Sequence, residues 1–156
     1  MKNELDQADQ IILTELQRDA AQGLEALAGS CGLSVASVQR RIRRLRDTGV
    51  IDRDIVVLDP AKVGQDMTFI VMVELERERL DRLDAFRRKA RAEPQVQQCY
   101  YITGEADFTL ICTARDMADF EDLTHRLFFN DDNVRRFRTS VVMSRTKVGL
   151  SVPVSD

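Results

Sequence analysis

The sequence has few of the side chains from which metal sites and covalent catalysis are usually built. It contains one histidine, His125, and three cysteines, Cys31, Cys99 and Cys112, which lie far apart and show no CxxC spacing. Such a set forms neither a zinc site nor a nucleophile with its base. We interpret the three cysteines as small buried apolar residues of a protein in a reducing compartment. No GxGxxG, P-loop or HExxH motif occurs, so we expect a protein that is not an enzyme and that uses no cofactor or metal.

Long apolar segments are also missing. No run approaches the roughly 20 residues that span a bilayer, and the N-terminal sequence MKNELDQADQ lacks the apolar part of a secretion signal. We therefore expect a cytoplasmic protein with no membrane partner. The 156 residues, 44% of them hydrophobic and 31% charged, are enough for one ordinary globular domain or two small ones.

The first 52 residues have apolar side chains at helical spacing. The pattern predicts a helix from about Asp6 to Asp19 and a shorter one from Leu24 to Cys31. Ser34 is the predicted N-cap of a third helix that ends near Thr48, and Gly32 suits the left-handed turn before it. Three short helices with a tight turn before the third predict a helix-turn-helix domain over residues 1–52.

The chain after residue 65 alternates between strands and helices. The predicted strands are Met67–Leu75, Val96–Thr103, Phe108–Thr113 and Val134–Val148, and the predicted helices are Arg79–Ala92 and Met117–Asn130. The order βαββαβ is that of a ferredoxin-like domain, which we place at residues 66–156. Residues 53–65 then form a linker strand and a turn. The fold class is therefore α+β, a (winged) helix-turn-helix domain followed by a ferredoxin-like domain.

A four-stranded antiparallel sheet with both helices on one side leaves its other face uncovered. Such a face commonly packs against a second copy of itself, so we expect a homodimer. A solvated sheet face is the alternative.

The third helix concentrates positive charge in an otherwise acidic protein. It holds five arginines within residues 40–46, although the chain has a net charge of −3 and residues 1–60 hold eight basic against ten acidic residues. On a helical projection the apolar residues form one stripe and Ser37, Arg40 and Arg44 lie opposite; the stripe comprises Val35, Val38, Ile42 and Leu45. Charge runs are usually solvated faces, but a helix of this size fits the major groove of double-stranded DNA. The arginines therefore predict a DNA-binding surface.

Different positions on this helix predict different contacts. Its N-terminal part carries the candidates for base readout, Ala36, Ser37 and Arg40. Arg41, Arg43 and Arg44 are the candidates for phosphate contacts. The complete predicted DNA-binding set is Ser34, Ala36, Ser37, Gln39, Arg40, Arg41, Arg43 and Arg44.

Several motifs, in this order and spacing, resemble the Lrp/AsnC family of transcription regulators. They are Leu5-Asp6-Gln7-Ala8-Asp9 with Ile12-Leu13 and Glu15-Leu16-Gln17, Gly32-Leu33-Ser34, Arg40-Arg41-Ile42-Arg43-Arg44-Leu45, Gly49-Val50-Ile51, Gly104-Glu105-Ala106-Asp107-Phe108 and Thr139-Ser140-Val141-Val142-Met143. The resemblance covers nearly the whole chain. It implies that the ferredoxin-like domain is an effector-binding domain of the type called RAM. It also implies dimers that form through the linker strand and the sheet and assemble into octamers, with an amino acid sensed between dimers to control genes of amino-acid metabolism or transport.

Two positions depart from the family pattern. Val35 stands where many relatives have proline after Gly-Leu-Ser, which leaves the helix intact but leaves the DNA sequence preference open. Glu105 stands where many relatives have aspartate, which leaves the identity of the effector open.

The loop after the second strand has chemistry suited to a free amino acid. Gly104 lets a ligand approach backbone amides, and Asp107 is an acceptor for an ammonium group. Hydroxyl groups of Thr103, Thr139 or Ser140 can donate to a carboxylate. The residues alone favour a polar turn whose acids bind local backbone groups. The resemblance implies an effector cleft lined by Tyr100, Thr103, Gly104, Glu105, Asp107, Thr139, Ser140 and Val141.

A second class of function fits the same residues. The chain would be an architectural DNA-binding protein without a ligand, whose C-terminal domain serves only for assembly. A third possibility, an arginine surface that binds an acidic protein, would be distinguished by competition with plain duplex DNA.

Overall fold

The computed structural model describes residues 5–154, which form two compact units. The first unit contains residues 5–57 together with residues 147–154, and the second spans Leu58–Thr146. Residues 147–154 therefore pack with the first unit, and the predicted domain bounds, 1–52, 53–65 and 66–156, stay a prediction.

Three helices make up most of the first unit, as predicted. They are α1 (Gln7–Arg18), α2 (Leu24–Cys31) and α3 (Val35–Asp47). The Asp6 side chain caps α1 by accepting from the N–H of Asp9 at 2.9 Å. Gly32 ends α2 with φ +65°, a conformation that favours glycine. The helix-turn-helix prediction is confirmed.

The three helices enclose one apolar core. Its buried members are Ile12, Leu13, Leu27, Ala28, Val38, Ile42 and Leu45. Val35, predicted as part of the buried stripe of α3, is 39% exposed because it lies in the first turn, at the edge of this core. The C-terminal segment adds Val154 to the core, and Val152 exchanges two hydrogen bonds with the side-chain amide of Gln17, at 3.0 and 2.7 Å.

The predicted linker strand is not a hydrogen-bonded strand. Between α3 and Met67 the only regular element among the described residues is a turn of 3₁₀-helix, Ala61–Val63. Ile55, Val56, Val57 and Leu58 are all more than half exposed. No strand of the described chain lies beside them, so their apolar alternation has nothing to pair with. For the same reason α3 is not followed by a β-wing.

The second unit has the predicted βαββαβ order. Its elements are β1 (Met67–Leu75), α4 (Leu80–Ala92), β2 (Val96–Tyr101), β3 (Phe108–Ala114), α5 (Met117–Thr124) and β4 (Val134–Val141). The strands are antiparallel in the order β2-β3-β1-β4. The α+β fold class is confirmed.

Three of the predicted elements in this unit end early, and the shortest difference is in β2, which ends at Tyr101 and not at Thr103. The strand predicted to reach Val148 ends at Val141, because Val141 pairs with Phe69 and β1 offers only two more residues. The helix predicted to reach Asn130 is α-helical only to Thr124 and continues as a π-helical turn, His125–Phe129.

The two faces of the sheet differ in character. Alternate residues of the two central strands face the helices and are buried; they are Phe69, Val71, Val73, Leu75, Phe108, Leu110, Cys112 and Ala114. The other face of β1 carries Ile70, Met72 and Glu74, which are exposed or half-buried. This uncovered face is mixed, with apolar side chains at its middle and charges toward one end.

Candidate nucleic-acid interface and effector site

Helix α3 presents a polar surface because its apolar side is fixed in the core. Val38, Ile42 and Leu45 are at most 7% exposed. The hydroxyl of Ser34 accepts from the N–H of Ser37 at 3.3 Å, which caps the first turn. Six of the eight predicted DNA-binding residues are exposed and two, Ser37 and Arg41, are half-buried; the exposed ones are Ser34, Ala36, Gln39, Arg40, Arg43 and Arg44.

Arg40 and Arg43 are the arginines of this surface with the greatest freedom. Among residues 5–154, no carboxylate forms a salt bridge with either of them. The Arg40 guanidinium donates to the hydroxyl of Ser37 at 3.1 Å, which joins two predicted readout residues. Cations that lack a protein counterion can exchange solvent for phosphate or base acceptors.

Arg41, a predicted phosphate contact, is paired with two carboxylates in this structure. Its Nη1 donates to both oxygens of Asp6, at 2.8 and 2.7 Å, and to Asp9 Oδ1 at 2.8 Å. The Asp6 pKa is lowered, first by the N–H of Asp9 and then by Arg41, so Asp6 stays ionised at neutral pH. The Arg41 side chain is only 26% exposed, because these contacts hold it against α1.

Arg44 is intermediate between these cases. Its Nη2 donates to Asp9 Oδ2, yet the side chain remains 52% exposed. Asp9 itself is 1% exposed. The sequence did not reveal these counterions. Asp6 and Asp9 at the start of α1, and Arg41 and Arg44 on α3, are nevertheless each spaced i, i+3, which places both members of a pair on one side of a helix.

The loop between β2 and β3 holds the first group of predicted effector residues. Gly104 has φ +117°, which favours glycine, and both Thr103 and Glu105 are exposed. Asp107 is half-buried, and its Oδ2 accepts from the N–H of Leu75 at 2.6 Å. Its backbone N–H donates to the Val73 carbonyl at 2.9 Å. One oxygen of the predicted ammonium acceptor is thus used to hold the end of β1.

The second group of predicted effector residues lies at the opposite edge of the sheet. Thr139, Ser140 and Val141 belong to β4, whereas Tyr100 belongs to β2. Three strand spacings separate these edges, about 14 Å. Within one chain the structure therefore does not bring Tyr100 together with the β4 residues. Thr139 and Ser140 also alternate between the two faces of the sheet.

A charged network on the uncovered face was not foreseen from the sequence. Glu74 accepts from Arg136 at 2.7 Å and from Arg138 at 3.3 Å, and Arg138 lies 3.5 Å from Glu105. The hydrogen bond from Arg136 lowers the pKa of Glu74. Arg136 and Arg138 stand on the same face because they are two residues apart in a strand. Their positions opposite Glu74 and Met72 of β1 depend on the register of the sheet.

A groove of about 390 Å³ lies elsewhere in the second unit, on the helix side of β2. Its lining includes Arg87, Arg91, Cys99 and Tyr101, and the Arg87 guanidinium lies 5.0 Å from the centre of the Tyr101 ring. None of the predicted effector residues lines this groove.

Residues 5–154 contain neither a helix that could span a membrane nor a group of metal-ligating side chains. Within that range no helix combines the length and the apolar character needed to cross a bilayer. Over the same range no three side chains among histidine, cysteine, aspartate and glutamate are grouped so as to hold a metal ion.

Two family models match the chain, one in its N-terminal part and one in its C-terminal part. Residues 5–46 match the AsnC-type helix-turn-helix domain, and residues 68–152 match the Lrp/AsnC ligand binding domain. Among curated proteins, an HTH-type transcriptional regulator of Sinorhizobium fredii, y4tD, is 44% identical over 151 residues, which cover 97% of this chain and 89% of that protein.

Solved structures with similar folds cover nearly the whole chain. An AsnC family transcriptional regulator from Agrobacterium tumefaciens superimposes with a TM-score of 0.90 at 28% identity, covering 96% of this chain and 97% of that one. A transcriptional regulator from Neisseria meningitidis, solved as a complex with L-Met, gives a TM-score of 0.91 at 26% identity and covers 97% of both chains.

Proposed function

The chain belongs to the Lrp/AsnC family of DNA-binding transcriptional regulators, and from this premise we propose that it reads specific duplex sequences through the outward face of α3. We further propose that an amino acid or related small molecule, bound between dimers, adjusts this binding at genes of amino-acid metabolism or transport. The chain then acts as a regulator and not as an enzyme.

One observation carries the DNA-binding part of the proposal. Arg40 and Arg43 project from a helix whose opposite side is buried, and no carboxylate of the described chain pairs with them. In this arrangement Arg40 is close to the N-terminal part of α3 and suits a guanine edge. Arg43 lies one turn further on and suits a phosphate.

Titrations of the full chain against duplex DNA at several salt concentrations test these roles. A duplex selected by the wild type from a random library serves as the specific site, and a random-sequence duplex serves as the non-specific one. Arg40→Ala should reduce the preference between the two, by about 1–3 kcal/mol if a bidentate base contact is lost. Arg43→Ala should weaken both alike and lower the salt slope by roughly 0.9.

Arg18→Ala is the matched control for both variants. It removes the same charge from the same unit, but Arg18 lies on α1, is 72% exposed and pairs with Glu15. Its titration curves should follow those of the wild type. Equal losses on all sequences for Arg40→Ala and Arg43→Ala would contradict the division of roles, and absence of duplex binding by the wild type would contradict the proposal itself.

The effector part of the proposal is supported by the solved neighbour that holds L-Met and by the match to a ligand binding domain. Calorimetry with L-methionine and a panel of other amino acids tests it. Asp107→Asn keeps an acceptor for the Leu75 N–H but removes the negative charge that an ammonium group requires. Binding should fall about tenfold or more, whereas Glu76→Gln, an exposed position just after β1, should bind like the wild type.

A ligand-independent architectural protein is the second candidate function. It is favoured by the hydrogen bond that already engages Asp107 and by the distance between Tyr100 and β4 within one chain. Under this alternative no amino acid of the panel would produce heat of binding or a thermal shift. Sedimentation with and without the panel would likewise show one unchanged assembly.

A further inference from the structure

The buried carboxylate of Asp9 connects the first helix to the arginines of α3. Asp9 is 1% exposed, and its two oxygens have different partners on α3. Oδ1 accepts from Arg41 Nη1 at 2.8 Å, and Oδ2 accepts from Arg44 Nη2. Asp6 lies at the rim of the same cluster and accepts twice from Arg41.

Burial makes this cluster selective among the arginines. A buried carboxylate is tolerated only when it is paired, so Asp9 holds its partners firmly. It reaches Arg41 and Arg44, which lie three residues apart on one side of α3, and does not reach Arg40 or Arg43. Four of the five arginines are therefore divided into two that are bound to Asp9 and two that have no carboxylate partner within residues 5–154, whereas the fifth, Arg46, pairs with Asp54 at 2.7 Å.

Counterion release gives this division a consequence for DNA binding. An arginine that meets a phosphate releases the cation condensed on that phosphate, which makes affinity fall steeply with salt. An arginine already neutralised by a carboxylate must first break that pair. It therefore contributes less to the non-specific attraction, while a base-reading arginine nearby keeps its contact.

We propose that Asp9, assisted by Asp6, is a specificity-determining residue that withholds Arg41 from DNA phosphates and fixes the direction of Arg44. Asp9 acts through these arginines and does not itself touch DNA. Asp9 and Asp6 keep the affinity for non-specific DNA low, so that the base contacts of Arg40 contribute a larger share of the total binding free energy. This inference rests on the proposed binding of DNA through α3.

Salt-dependent titrations of full-length variants test the proposal, with the selected duplex and the random-sequence duplex as probes. Asp9→Asn should steepen the slope of log affinity against log salt by roughly 0.9 for each arginine released. Binding to the random duplex should rise more than binding to the selected one, so the ratio of the two affinities falls. Asp6→Asn should act in the same direction with a smaller change, because Asp9 then still holds both Arg41 and Arg44. In Asp9→Asn, Arg44 loses its carboxylate and only Asp6 still holds Arg41.

Glu15→Gln is the control for net charge. It removes one carboxylate from the same helix, but Glu15 pairs with Arg18 and contacts neither Arg41 nor Arg44. Its salt slope should equal that of the wild type. A steeper slope in this control too would mean that total charge, and not the Asp9 cluster, sets the affinity.

A double-mutant cycle with Arg41→Ala distinguishes two roles for Asp9: withholding Arg41 from DNA phosphates, and stabilising the fold alone. In the wild-type background this substitution should leave the salt slope unchanged, because Arg41 makes no phosphate contact. In an Asp6→Asn/Asp9→Asn double variant, where neither carboxylate still pairs with Arg41, the same substitution should remove part of the added slope. A purely structural role for Asp9 would instead weaken binding to both duplexes without steepening the slope, and that result would overturn the proposal.

The outcomes also separate this inference from the proposed function. If Arg41→Ala alone lowers the slope as much as Arg43→Ala does, Arg41 contacts DNA despite Asp9 and only the inference fails. If neither Arg40→Ala nor Arg43→Ala affects binding, the proposal that α3 binds DNA fails. Should Asp9→Asn melt well below the wild type, Asp6→Asn and Arg41→Ala decide the question, because Asp6 is 54% exposed and lies outside the core.

Discussion

Asp107, the predicted acceptor for the ammonium group of a ligand, makes a hydrogen bond within the folded chain. Its Oδ2 accepts from the Leu75 N–H at 2.6 Å, next to the point where the β1–β4 register shifts. A residue pattern gives the type of side chain in a loop but not which backbone group it faces. The residues alone therefore favoured a local turn over a ligand acceptor, and only the folded structure identifies the backbone partner.

Asp107→Ala should lower the free energy of unfolding by about 1–3 kcal/mol, because it leaves a partly buried N–H without an acceptor. Urea unfolding of the full chain measures the effect. Glu105→Ala in the same loop is the control, since Glu105 is exposed and its Arg138 contact is 3.5 Å long. Equal stability of the two variants would show that the Leu75 contact contributes nothing.

Cys112 leads to a prediction about pH and thiol chemistry. It is fully buried, and burial raises the pKa of its thiol to about 12. At pH 8, about four units below this pKa, the thiol is almost wholly protonated. It is therefore unreactive, because the thiolate is the reactive form. A variant with Cys31→Ala and Cys99→Ala should therefore not react with a thiol reagent at pH 8 until it is unfolded. Rapid labelling of the native variant would mean that β3 opens readily.

At the scale of elements, the helices of the first unit were predicted to within about a residue because their ends have local chemical causes. Asp6, Ser34 and Gly32 stop or start helices through their own side chains or conformations. The ends of β4 and of the linker have no such cause. A strand continues only as far as its neighbour does, and β1 provides no partner beyond Met67.

Gly32→Ala tests whether the turn before α3 depends on a left-handed residue. A Cβ at this position would meet no atom within 4 Å, so the cost arises from the backbone conformation alone. We expect a loss of about 1–2 kcal/mol in unfolding free energy. Gly29→Ala, within α2 and equally open, should instead stabilise by up to about 1 kcal/mol. Thermal and urea unfolding of both variants measure the contrast, and shifts of the same sign would contradict it.

At the scale of the whole molecule, some contacts join segments that are far apart in the sequence, and the periodicity of the sequence does not predict them. Gln17 binds the backbone of Val152, 135 residues later, through two side-chain hydrogen bonds. No pattern in the last ten residues indicates this partner, since a backbone amide has no sequence signature. The arginines of α3 were predicted as a group, but their division by Asp9 appears only when α1 and α3 are packed together.

Association of two chains is the prediction that belongs to this scale. Val56 and Val57 are each 84% exposed in a segment outside any helix or strand. A run of exposed apolar side chains favours burial against a partner. We expect the wild type to sediment as a dimer or larger assembly and Val56→Asp to shift the population toward monomer. Val148→Asp places the same charge at another exposed apolar position, 61% exposed, and should leave the assembly intact. Because a charged side chain is costly in an apolar interface, an unchanged sedimentation profile for Val56→Asp would place the association surface outside residues 53–65.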